Sequence, residues 1–374
     1  MPNAEAGRRP VPYVNLPAQF EEEREELLAT VTAALKRADF VMGAAVGELE
    51  QALAAYHGVK HAVTLNSGTD ALILAMKVLG VGPRDEVITP VNSFIASTAA
   101  VVHLGARPVL VDVLPDQNLD PEAAERAVTA KTKAIMPVHL TGRIADMDRV
   151  NAIAKAHDLA VIEDAAQSVG SRYRGRLSGT LGDIGCFSAH PLKNLNACGD
   201  AGFLVTDRDD VVERLRLLRN HGLVDRNTVT EFGLVSRLDT LQAAILLMRL
   251  KRLDSVLERR RHNAARYRLQ LDPRFVFMPP CREHEHNTFH TFVIQVDRRD
   301  ELQAHLTALG IGTAIHYPVP IHLQPASAHL GYKAGDFPVA EAQARRILTL
   351  PVNQSLSDAD IDHVAAAVNG FYHA

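Results

Sequence analysis

The chain has 374 residues, of which 47% are hydrophobic and 22% charged, with a net charge of −4. That length sets two domains as the expectation, the apolar content supplies a packed core, and the weakly acidic balance without long charge runs excludes a nucleic-acid binder working through a basic face. No apolar stretch approaches the ~18 residues of a membrane span, so no membrane partner is expected.

In chain order, the opening segment MPNAEAGRRPVPYVNL lacks the apolar core of a signal peptide. From residue 61, short apolar runs alternate with helical patterns. HAVTLNSG leads to DALILAMKVLG, EVITP to SFIASTAAVVHLG, RPVLVDV to PEAAERAVTA, and KAIMPVHL to MDRVNAIAKAH; LAVIED, GDIGCFSA and GFLVTD follow. β-branched runs between helices predict an α/β fold with a mostly parallel central sheet covered on both faces. Residues 240–269 read as one long helix with Leu241, Ala244, Ile245 and Met248 on one face. Its RRR at 259–261 reads as a solvated helix face. A smaller C-terminal α+β unit follows: strand TFVIQV, helix ELQAHLTALG, strand GTAIHYP, and helices near 338–348 and 358–371. Ser357 and Asp360 give the last helix a start resembling a capping box. The predicted division is a large domain over 1–250 and a small C-terminal domain over 251–374. Cys186, Cys198 and Cys281 show neither an even disulfide framework nor metal-like pairing, which predicts a soluble cytoplasmic protein of a reducing compartment.

Two motifs carry little chemistry. Gly80 and Gly82 in LGVGPRDE follow a helix and lack a third glycine, so they read as a turn and a nicotinamide-binding fingerprint is rejected. CREHEHNTFH crowds Cys281, His284, His286 and His290 before a strand, without the spacing of a zinc site, and no metal is expected.

Three motifs carry more. NSGTDAL places Ser67, Gly68 and Thr69 between a strand and a helix, where free N–H groups and the helix dipole hold either a phosphate or nothing beyond an ordinary N-cap. VIEDAAQSVG puts Asp164 at the carboxyl end of a strand, the edge where open α/β sheets bind ligands; a helix cap is the plainer role. FSAHPLKNLNACGDAG runs a buried strand into a tight polar turn with a single lysine, Lys193. A lysine in a nearly dry strand-end site loses its proton more readily and becomes a nucleophile toward an aldehyde. Ser188, five residues earlier, lies within reach of a phosphate near Thr69. A phosphate site, an aspartate for a pyridine nitrogen and a lysine for an aldehyde together match pyridoxal 5′-phosphate. The glycines after Lys193 are expected to let the backbone turn close to this cofactor.

With these residues in view, the sequence resembles the DegT/DnrJ/EryC1/StrS sugar aminotransferases of the fold-type I pyridoxal-phosphate superfamily. The resemblance runs from VPYVNLPAQ to LPVNQSLSDADI, through SGTDAL, VHLTGRIADMD, VIEDAAQSVGS, GDIGCFSAHPLKNL, RNHG, SRLDTLQAAIL and HYPVPIHLQPA. It implies an aspartate-aminotransferase-like fold and catalytic roles for Lys193, which joins the cofactor and shuttles a proton, and Asp164, which pairs with the ring nitrogen. It implies that Gln167 lies by the ring, Phe94 stacks on it, and Gly68, Thr69 and Ser188 cradle the phosphate. Arg237, His316 and Tyr317 match positions that approach the substrate diphosphate, often from a second subunit. The implied reaction is amino transfer from L-glutamate, leaving 2-oxoglutarate, to a nucleotide-linked keto sugar in a homodimer. A 3-keto hexose is favoured over a 4-keto sugar or a keto-cyclitol, and a non-catalytic cofactor-binding regulator on the same fold is the competing reading. His190 is close by, but Lys193 holds the position that is histidine in the family's dehydratases. Two positions depart from the family pattern: Val235 stands where an asparagine usually reaches the partner's cofactor phosphate, and Thr141 stands where tyrosine is frequent.

Overall fold

The computed structural model describes residues 10–373. Residues 1–9, the start of the segment read as lacking a signal core, lie outside the described residues. Strands β1 (His61–Leu65), β2 (Glu86–Pro90), β3 (Arg107–Val111), β4 (Thr132–Ile135) and β5 (Ala160–Asp164) are followed by a small hairpin, β6 (Arg172–Tyr173) and β7 (Arg176–Leu177), then β8 (Ile184–Ser188) and β9 (Gly202–Thr206). Seven of these form one sheet in the order β1-β9-β8-β5-β4-β2-β3. Only β9 runs against its neighbours, pairing antiparallel with both β1 and β8. This is the α/β architecture with a mostly parallel central sheet.

Parallel strands joined by helical crossovers are covered on both faces, so their side chains are apolar on both sides. Val87, Ala134 and Ile162 enter one core with Leu72, Ala75 and Leu215. Their neighbours Ile88, Ile135 and Val161 enter another with Val150 and Ile153. The helices covering the sheet are α1 (Leu16–Arg37), α2 (Ala44–His57), α3 (Gly68–Val78), α4 (Ile95–His103), α5 (Pro121–Arg126), α6 (Met147–His157), α7 (Asp209–Leu218) and α8 (Thr240–Leu250). Parallel alignment has a functional consequence: the carboxyl ends of β1, β2, β5 and β8, with Ser67, Phe94, Asp164 and Ser188, share one edge.

The predicted single helix over 240–269 is two helices, α8 and α9 (Leu253–Gln270), broken at Lys251 and Arg252. Ile245 and Met248 pack on Leu27 of α1, whereas Leu253 and Leu257 join the core under α2. One straight helix cannot keep both sets buried, and the break re-aims the second. The short strands β10 (Val276–Phe277) and β11 (Glu285–His286) precede β12 (Phe292–Val296) and β13 (Ile347–Leu350). A second sheet, β10-β12-β13, packs against α9, α10 (Arg299–Ala308) and α12 (Asp358–His373). Helix α11 (Pro338–Arg346) ends earlier than the sequence suggested, because the fully buried ILTL run turns directly into β13 and pairs with β12. The GTAIHYP segment forms only an isolated bridge, Ala314 to Thr349, rather than a strand. The reciprocal Ser357–Asp360 cap is present, with Asp360 Oδ2 accepting from Ser357 N–H at 2.9 Å and the Ser357 hydroxyl oxygen accepting from Asp360 N–H at 3.3 Å. Gly80 adopts φ +81° and closes the turn between α3 and β2. Val11, near the start of the described chain, pairs with Ile311 and packs in the core of the second sheet.

Candidate active site

Asp164 ends β5 and is 5% exposed. Its Oδ2 accepts from the Ser97 hydroxyl at 2.7 Å and its Oδ1 from the Ala166 N–H at 3.2 Å. Burial raises the carboxyl above its ordinary range, while those two hydrogen bonds and the Lys193 charge pull it back. Its neighbour Glu163 points to the other face, fully buried, and accepts from the N–H groups of Gly179, Leu181 and Gly182 and from His139 Nε2. His139 Nδ1 accepts from Ala145 N–H at 3.2 Å, so the imidazole proton sits on Nε2 and is donated to Glu163. The His139 N–H in turn donates to the Asp164 carbonyl at 3.0 Å, which ties the end of β5 to this buried network.

Lys193 follows β8 in a loop closed by Ala189 and Ala201, and its N–H donates to the His190 carbonyl at 2.8 Å. The side chain is half-buried. Among the described residues its Nζ has no hydrogen-bond or ion-pair partner. Burial pulls the amine down to about 8, against the attraction of Asp164. The two groups sense each other's charge without meeting in an ion pair.

Other predicted residues gather around this pair. Gln167 Oε1 accepts from the Thr141 N–H at 2.8 Å, and its Nε2 donates to the Tyr317 hydroxyl at 3.4 Å. Thr141 holds a positive φ of 65°, unusual for a β-branched residue. Tyr317 lies 5.7 Å from Phe94, ring centre to ring centre, and burial pushes its phenol up to about 12. His316 bonds Thr349 Oγ1 through Nδ1 at 2.9 Å, and burial together with the Lys193 charge lowers it to about 4.

The first turn of α3 meets β8 at the same edge. A Cβ on Gly68 would sit 2.8 Å from Ser188 Cβ, and one on Gly202 would sit 2.3 Å from the Ser67 carbonyl carbon. The Ser67 hydroxyl caps the Asp70 N–H at 3.1 Å, so neither helix nor cap uses the N–H groups of Gly68 and Thr69. Gly202 thus serves the close packing of β9 on this turn. Arg237 is not brought to Lys193: it donates to Asn220 Oδ1 at 3.1 Å and lines a separate cavity with Asn66, Ser67 and Asp70.

Several residues of the site were passed over in the sequence. Ser97 lies three positions beyond Phe94 in the same NSFIAS segment, a helical spacing that signals a shared face. Tyr13, Arg260 and His290 line the cavity behind Lys193. The reading of 259–261 as a solvated face fails for Arg260, which is 8% exposed. Among the described residues no cluster of His, Cys, Asp and Glu is placed to hold a metal. Of the crowded CREHEHNTFH segment, His284 packs edge-on against Tyr173 while His290 turns toward Lys193.

The family model of the DegT/DnrJ/EryC1/StrS aminotransferase family matches residues 21–369. The chain belongs to the DegT/DnrJ/EryC1/StrS aminotransferase family. It is 43% identical over 348 residues to a dTDP-3-amino-3,4,6-trideoxy-alpha-D-glucose transaminase of Streptomyces venezuelae, covering 92% of each chain. It is 41% identical over 366 residues to a pleiotropic regulatory protein of Geobacillus stearothermophilus, covering 97% of this chain and 98% of that one. The crystal structure of S. venezuelae DesV in complex with a ketimine intermediate superposes with a TM-score of 0.96 at 42% identity, covering 98% of this chain and 100% of that one.

Like its family, the chain is a pyridoxal 5′-phosphate-dependent sugar aminotransferase. The residues present fit that cofactor. The unpartnered Lys193 amine suits its aldehyde, the buried Asp164 its ring nitrogen, and the uncommitted Gly68 and Thr69 N–H groups with Ser188 its phosphate. Val235, the position expected from the sequence to depart from the family pattern, has an exposed side chain, and its carbonyl accepts from Asn66 Nδ2 at 3.4 Å. A valine there offers no donor to a phosphate of a second subunit.

Proposed function

We propose that this aminotransferase moves the amino group of L-glutamate onto a nucleotide-linked 3-keto hexose and works as a homodimer. The observation that carries the reading is the Lys193 amine, without a hydrogen-bond or ion-pair partner among the described residues, within electrostatic reach of the buried, hydrogen-bonded Asp164. The names of relatives that aminate carbon 3 of dTDP-linked sugars support the choice of sugar class.

Bound pyridoxal phosphate supplies an aldehyde for the reacting amine and a conjugated ring that accepts the electron pair of a carbon losing its proton. Lys193 Nζ takes that proton and returns it; with its pKa drawn to about 8, a useful share is neutral at mild pH. Asp164, oriented by Ser97 and the Ala166 N–H, keeps a proton on the ring nitrogen and so keeps the ring electron-poor. Gln167, held by Thr141, fixes the position of the Tyr317 hydroxyl. Phe94, with 55% of its surface exposed and its ring 5.7 Å from that of Tyr317, offers a face on which the cofactor ring would stack.

The test is incubation with L-glutamate and a panel of dTDP- and UDP-linked 3-keto and 4-keto hexoses, with the amino sugar read by mass. Amination of a 3-keto sugar supports the reading. Turnover confined to 4-keto sugars overturns the choice of carbon, and turnover of none favours a regulator.

A further inference from the structure

Behind Lys193 lies a cavity of about 70 Å³ whose walls include Tyr13, Lys193, Arg260, His290, His316 and Asn353. Arg260 is its most unusual member. The buried guanidinium groups of Arg143, Arg219 and Arg249 are each matched by a glutamate: Glu285, Glu50 and Glu23. Arg260 is equally buried, yet among the described residues no carboxylate pairs with it. Its Nη1 donates to the carbonyls of Phe289 and His290 at 3.4 and 3.1 Å, and its Nε is buried with no partner. A buried, unmatched charge is costly, and a ligand carboxylate is the natural partner for the free edge of a guanidinium.

The chemistry of the reaction supplies such a ligand in this place. The donor's nitrogen must reach the position served by the Lys193 amine, and an amino acid carries its carboxylates within a few bonds of that nitrogen. The cavity is too small for a nucleoside diphosphate, since pockets for ligands of that size run to roughly 300 Å³ or more. His290, which lines the same cavity as Lys193 and Arg260, is kept neutral by burial and by both cations, so it adds no charge of its own.

We propose that Arg260 is the anchor for a carboxylate of the amino-acid donor, making the cavity between Lys193 and Arg260 the donor subsite. This rests on the transaminase reading above. The experiment separates the two half-reactions on the holoenzyme and measures binding of unreactive glutarate by calorimetry. Arg260→Met is expected to weaken glutarate and raise the KM for L-glutamate by about 10- to 100-fold. Arg260→Lys is expected to recover part of the loss, and the keto-sugar half-reaction is expected to stay near wild type. If L-alanine suffers equally, the α-carboxylate is the one held; if only glutamate suffers, it is the side-chain carboxylate. An unchanged glutamate KM, or an equal loss in both half-reactions, would overturn the proposal, the latter because it marks Arg260 as a clip for the 287–290 loop alone. Should Arg260→Met fail to fold, the wild-type structure with glutarate decides: a carboxylate about 3 Å from the guanidinium supports the proposal, and one seated elsewhere overturns it. Arg260-dependent glutarate binding in a protein that aminates no sugar would overturn the transaminase reading and leave this subsite standing.

Discussion

Burial acts in opposite senses on the two groups at the centre of the site, drawing the Lys193 amine down to about 8 and pushing the Asp164 carboxyl up. Below its pKa the amine is a charged ammonium and cannot attack an aldehyde; above it the neutral form dominates. Capture of pyridoxal phosphate by cofactor-free protein is therefore expected to quicken about tenfold per pH unit up to about pH 8 and then level off, followed by stopped-flow absorbance. A rate flat from about pH 6 to about pH 9 would contradict it. Ser97→Ala removes a 2.7 Å hydrogen bond to the Asp164 carboxylate, an interaction of roughly 1.5–3 kcal/mol. The expected result is a loss of about tenfold or more in kcat/KM, with the acid limb of the pH profile moved upward because the carboxyl pKa rises further. Lys193 and Asp164 were legible in the sequence because Asp164 ends an apolar run at a strand's carboxyl end and Lys193 is the single lysine of the polar turn after another. Ser97, Glu163 and His139 were not, since their roles arise only when separate strand ends are brought together. Arg260 was misread because an arginine run on a helix looks like a solvated face until the neighbouring loop and the start of the chain cover it.

At the scale of elements, the proposed phosphate cradle depends on how tightly β9 and β8 approach the first turn of α3. Gly202 lies in register with both Leu65 and Ser188, and a Cβ there would fall 2.5 Å from the Gly68 nitrogen. Gly202→Ala is expected to lower stability by about 1–3 kcal/mol and to weaken cofactor binding together with it, because relief of the overlap moves the N–H groups proposed to hold the phosphate. Thermal melts and cofactor titration on the same samples check this; lower stability with unchanged cofactor affinity would detach the cradle from the packing. Most elements were readable from apolar period and caps. The break between α8 and α9 was not, because no glycine or proline interrupts residues 240–269 and the burial of Leu253 and Leu257 that goes with the break is tertiary. Strand β13 escaped because no turn residue stands between ARR and ILTL.

Across the whole molecule, exposed apolar side chains gather on the segment that carries Arg237. Phe232 is 92% exposed, with Val224, Val229, Leu234 and Val235 also on the surface. The adjoining Phe40 and Val41, tied to this region by the bridge between Val41 and Asp239, are exposed as well. A surface of this composition is expected to be covered in a homodimer. Phe232→Glu is expected to weaken self-association by at least about tenfold in sedimentation, with activity falling as the protein is diluted. A monomeric wild type that stays fully active on dilution would contradict the dimer. The mostly parallel sheet was implied by the alternation of strands and helices, whereas its strand order and the reversed β9 were not. The exposed apolar surface was not, because single apolar residues in a loop give no period from which to infer a partner.

The claim on which the rest depends is the attachment of the cofactor to one amine. Borohydride reduction of the holoprotein, followed by digestion and peptide mass analysis, is expected to place the reduced pyridoxyl group on the peptide bearing Lys193 and on no other. Label on a different lysine, or none at all in protein reconstituted with pyridoxal phosphate, would contradict the account.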